Sequence, residues 1–130
     1  MKPAFAPRLP AAAVALAFAG TAVSAGEINS NLQIEAGKTF ELGGGQPGGF
    51  TVTGRNTGPV AVVVLAKGAG ESGGAAVVKG RVEPGANVDA AFGAGEQALL
   101  RNTSDSRMAR MKLVVRGDTS SLGMTYSANP

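Results

Sequence analysis

The 130-residue sequence contains no cysteine, no histidine and no tryptophan, and only one tyrosine beside five phenylalanines. Without cysteine there is no disulfide framework, no thiol nucleophile and no thiolate metal ligand. Without histidine the commonest general base and a principal zinc ligand are missing as well. So few aromatic rings leave little to stack against sugars or nucleobases. Long apolar runs are also absent: Ala11 to Ala19 falls short of the ~20 residues a membrane-spanning helix requires, and no later run is longer. These absences exclude most familiar active sites and predict a protein that works without catalysis, cofactor or metal.

The first 25 residues read as an export signal. Lys2 and Arg8 form a basic start, Ala11 to Ala19 an apolar centre, and Val23-Ser24-Ala25 a small-residue cleavage site before Gly26. The expected product is a periplasmic or secreted chain of about 105 residues, 26–130, enough for one small domain. Two of the twelve basic residues fall in the signal, and all nine acids lie beyond it, so the exported domain is close to neutral. That balance gives no electrostatic footprint for nucleic acid, which calls for a strongly basic domain.

Beyond Gly26 the dominant pattern is period-two alternation in short runs broken by Gly, Pro, Asn and Asp. Leu32 and Ile34 alternate with Gln33 and Glu35; Phe40 and Leu42 with Thr39 and Glu41; Phe50, Val52 and Gly54 with Thr51, Thr53 and Arg55. Val60 to Leu65 is apolar throughout and suits a central strand covered on both faces. Further runs are Val77 to Glu83, Val88 to Phe92, Glu96 to Asn102, Met108 to Arg116 and Leu122 to Tyr126. No segment beyond the signal has helical periodicity. The expectation is an all-β fold, a two-sheet antiparallel sandwich of about 7–9 short strands. The glycine-rich stretches 43–49, 68–74, 84–85 and 93–95 read as hairpin loops; as phosphate cradles they lack a following Gly-Lys-Ser/Thr.

A near-repeat runs through the chain. Ile34-Glu35-Ala36-Gly37 followed by Arg55-Asn56-Thr57 echoes Val82-Glu83-Pro84-Gly85 followed by Arg101-Asn102-Thr103. Two copies of a four-strand unit would produce it, and so would convergent strand-ending chemistry. The stretches Arg55-Asn56-Thr57-Gly58-Pro59-Val60-Ala61-Val62 and Val82-Glu83-Pro84-Gly85 resemble a strand-end turn and an inter-strand corner of bacterial exported immunoglobulin-like sandwich modules. The resemblance covers 34–116 and lacks the Cys pair and core Trp of antibody-type members. It implies an immunoglobulin-like sandwich with a structural, adhesive, carbohydrate-associated or chaperone-like role, and no transferable catalytic residues.

Three kinds of chemistry remain. A sheet edge formed by Leu32 to Glu35 or Leu122 to Tyr126 would take a strand of another envelope or secreted protein. Alternation in the run from Met108 puts Arg110, Lys112 and Arg116 on one face, joined by Arg101 and Arg107 if Asn102 to Ser106 closes a hairpin; such a stripe suits an anionic glycan or envelope lipid. Glu35 and Glu83, matched in the near-repeat, are the carboxylate pair to inspect for polysaccharide hydrolysis. Asp105 and Asp118 read as turn formers, not calcium ligands. Met108, Met111 and Met124 read as core fillers, and Tyr126 as an edge seal.

Overall fold

A computed structural model describes residues 26–68 and 75–130, so residues 1–25, read above as an export signal, and most of the glycine-rich stretch 68–74 lie outside the described residues. Nine strands form among the described residues: β1 (Gly26–Ile34), β2 (Lys38–Gly43), β3 (Phe50–Asn56), β4 (Val62–Lys67), β5 (Val77–Val82), β6 (Asn87–Phe92), β7 (Gln97–Asn102), β8 (Ala109–Gly117) and β9 (Met124–Ala128). They build two antiparallel sheets, sheet A in the order β1-β8-β3-β6 and sheet B in the order β5-β4-β7-β2-β9. The two-sheet sandwich expected from the alternation is the architecture observed.

Alternation builds the core directly. Leu32 and Ile34, Phe50 and Val52, and Met111, Leu113 and Val115 point inward from sheet A. Phe40 and Leu42, Val62 and Val64, and Ala98 and Leu100 meet them from sheet B. Each of these side chains larger than alanine is worth roughly 1.5–3 kcal/mol when fully buried. In β4, Val62 and Val64 join this core while Leu65, on the opposite face, is also buried, as the unbroken apolar run predicted.

The loops correct the hairpin reading. Only β4 and β5 are consecutive strands of one sheet; every other connection between the described strands passes from one sheet to the other. Alternation says which face of a strand is buried but not which strand lies beside it, so corners and hairpins look alike in sequence. At two of these corners Gly37 and Gly85 take φ of 73° and 83°, a left-handed conformation costly for other residues. Lys38 N donates to Glu35 O at one and Ala86 N to Glu83 O at the other.

Those corners belong to an architectural repeat. Matching β1–β4 to β5–β8 in order turns the sheet A order into β5-β4-β7-β2, which is sheet B without β9. The two halves interlock. Asn56 Nδ2, from the first, donates to Val82 O in the second at 3.0 Å; Asn102 Nδ2, from the second, donates to Ile34 O in the first at 2.9 Å. Each asparagine also holds its own turn, through Gly58 N or Ser104 N. Strand β9 has no counterpart.

Candidate functional site

The sheet edges come first. β1 borders sheet A and β9 borders sheet B, and these are the two terminal runs expected to form edges. All nine residues of β1 pair with β8 without a register shift, from Gly26 against Gly117 to Ile34 against Ala109. Tyr126 Oη donates to Gln33 O at 3.2 Å, so the Gln33 carbonyl points away from β8. Backbone groups alternate sides along a strand, and Glu27, Asn29 and Asn31 therefore direct their N–H and C=O groups to the same open side. None of these has a backbone partner there among the described residues.

The other edges are guarded. β5 carries an irregularity opposite Val64 and Leu65, β9 is only five residues long, and β6 has Lys79 Nζ on its Ala91 carbonyl at 2.5 Å. Bulges, short strands and lysines are the usual protections of an edge. β1 has no proline, no lysine and no bulge. Its start was missed in sequence because Gly26 to Asn31 is rich in residues of low strand propensity.

Beside the closed end of β1 lies an open cleft of about 280 Å³, lined by Gln33, Glu35, Lys38, Met108 and Tyr126. Tyr126 seals the margin of the sandwich here, its ring 5.3 Å from that of Phe40. Met111 is a core residue at 1% exposure, but Met108 lines the cleft and Met124 is 50% exposed, so the core-filler reading holds for one of three.

The cationic stripe is rearranged. Arg110, Lys112 and Arg116 do share the outer face of β8. Arg101 does not join them: β7 lies in sheet B and β8 in sheet A, so Asn102 to Ser106 is a crossover between sheets, not a hairpin turn. Arg107 is exposed in that crossover, while the Arg101 Nε is buried without a hydrogen-bond partner among the described residues. Arg116 Nε lies 3.0 Å from Glu27 Oε1 on β1. The Asn29 amide, which donates to the same carboxylate, and Arg116 hold the Glu27 pKa below its ordinary value. What sequence missed is Arg55, which the β3–β8 register puts directly opposite Lys112. Arg55, Lys112 and Arg110 have no carboxylate within ion-pair distance among the described residues.

The other candidates are separated or already engaged. Glu35 sits at the β1–β2 corner and Glu83 at the β5–β6 corner, on opposite lateral sides of the sandwich. With three inter-strand spacings between β1 and β6, the corners are ~14 Å apart or more, and the pair shares no cleft. Glu83 is instead bound by Arg81 Nε at 2.6 Å. Asp118 organises turns, accepting from Gly48 N at 2.8 Å and Ser120 Oγ at 3.0 Å. In the glycine loop 43–49 the amides of Gly44 and Gly45 donate to Gln46 Oε1, so a buried glutamine occupies the place a phosphate would take.

No protein-family model matches the chain, and neither curated proteins nor solved structures provide a match.

Proposed function

We propose that this protein is a non-catalytic exported binding or assembly module, chaperone-like or part of a surface structure, that takes an extended strand of another envelope or secreted protein onto the open edge of β1. The observation that carries this reading is the edge itself: nine residues in continuous register, with the backbone groups of Glu27, Asn29 and Asn31 unpaired on the open side. Main-chain hydrogen bonds supply affinity in such an addition, and alternating side chains select the partner. The export signal read in residues 1–25 and the resemblance to exported immunoglobulin-like modules fit the same role.

Capture from envelope and secreted fractions with purified protein, at low and high salt, tests it. The expected partner is a protein that survives high salt and is lost from an Asn29→Pro bait. Equal capture by both baits overturns the reading.

A second reading rests on one specific observation. Arg55 and Lys112 are like charges placed directly opposite each other, an arrangement that destabilises a bare sheet and that an anion would relieve. With Arg110 they would bind an anionic glycan or envelope lipid, and binding would fall steeply with salt.

A further inference from the structure

The strand left over by the internal repeat identifies a second docking edge. A shift of 48 residues carries β2 onto β6, matching Thr39 to Asn87, Phe40 to Val88, Glu41 to Asp89 and Gly43 to Ala91. The matched pairings agree: Thr39 opposes Arg101 on β7 as Asn87 opposes Arg55 on β3. β2 then receives β9 on its other side, whereas β6 receives no strand there among the described residues.

The β2–β9 pair shows what the site accepts. Gly43 N donates to Gly123 O at 2.8 Å, and Asn129 N donates to Gly37 O at 2.9 Å. The Glu41 carboxylate accepts from Thr125 Oγ1 and Ser127 Oγ, both at 2.8 Å. Between these hydroxyls Tyr126 packs on Phe40. On β6 the Asn56 N to Ala86 O bond fixes the sense of the ladder to β3, so Asn87, Asp89 and Ala91 point their backbone groups outward, as Thr39, Glu41 and Gly43 do toward β9. Asp89, the counterpart of Glu41, is exposed and has no side-chain hydrogen-bond partner among the described residues.

We propose that β6 is a strand-receiving edge for an extended segment of a partner protein carrying Ser or Thr at two positions two apart, with an apolar or aromatic residue between them. The segment pairs antiparallel with Asn87 to Ala91, and its hydroxyls donate to Asp89 as Thr125 and Ser127 do to Glu41. Lys79 guards the site. Its Nζ holds the Ala91 carbonyl and lies 4.9 Å from the centroid of the Phe92 ring, so an incoming strand must displace it to complete the ladder. The site lies on the opposite border of sheet A from β1 and stands independently of the function proposed there.

The probe is a synthetic peptide with the sequence of residues Leu122 to Pro130, titrated into the isotopically labelled protein while amide shifts are followed. Shifts should gather on Asn87 to Phe92 and leave β1, β2 and β9 unchanged. Replacing the peptide's Thr125 and Ser127 by alanine, or Asp89→Ala in the protein, should weaken binding about tenfold, the effect of losing charge-assisted hydrogen bonds. Lys79→Ala should tighten it. Shifts confined to β1, or to β2 and β9, overturn the proposal, as does an absence of shifts at millimolar peptide. A peptide without the Thr125 and Ser127 hydroxyls that binds as well as the original overturns it too.

Discussion

Asn56 and Asn102 are 1% and 0% exposed, and each replaces several missing partners at once. Asn56 Nδ2 serves the Val60 and Val82 carbonyls and Asn102 Nδ2 those of Ile34 and Arg107, while each Oδ1 accepts a turn amide. Substitution by alanine leaves buried carbonyls unsatisfied and should cost about 2–4 kcal/mol at either site. Aspartate keeps the acceptor and loses the donor, so Asn56→Asp and Asn102→Asp should be at least as damaging, as denaturant unfolding would show. The two positions were visible in sequence as matched turn residues, but their role between the halves was not, because it joins residues 26 and 68 positions apart. Gln46 was invisible altogether: nothing in a glycine-rich loop announces that its one amide side chain is buried and bonded to Gly93 O and Glu96 O of another loop. Glu27 makes a prediction in pH. Its pKa is lowered in the folded protein from 4.5, first by the Asn29 amide and then by Arg116, so its stabilisation is present above that value and lost as pH falls through the lowered one. Unfolding measured between about pH 3 and pH 7 should show a flatter acid limb for Glu27→Gln.

Among elements, strand existence was legible and strand neighbourhood was not. Every alternating run became a strand, since period two needs only one buried face and one wet one. Which strands pair depends on distant partners, and this is why Arg101 left the cationic face and Arg55 entered it. The Asn29 backbone N–H points to the open side of β1, so proline there removes no bond to β8. Asn29→Pro should therefore change stability by less than about 1 kcal/mol while abolishing strand addition, which unfolding and partner binding measured on one sample would separate.

At the scale of the whole molecule, the interlocked halves give each sheet an equivalent set of four strands and leave β9 as the single addition. β9 covers the outer side of β2 in sheet B, near β1, whereas β6, the counterpart of β2 in sheet A, has no strand on its outer side among the described residues. β1 borders the other side of sheet A with the backbone groups of Glu27, Asn29 and Asn31 unpaired among the described residues. The charges are distributed unevenly over the same sheet: Arg116 is matched by Glu27, while Arg55, Arg110 and Lys112 are unmatched among the described residues. Neutralising those three should leave the fold intact and remove any salt-sensitive anion binding, without affecting a partner held by β1; titration with an anionic polysaccharide at two salt concentrations would measure the first effect.

Hydrogen exchange at the amides of Glu27, Asn29 and Asn31, in the free protein and in complex with its captured partner, tests strand addition at β1 most directly. Rapid exchange is expected in the free protein, with strong protection of these three amides in the complex, at high as well as low salt. Protection already present in the free protein, or a complex that leaves the three amides exchanging as before, would contradict it.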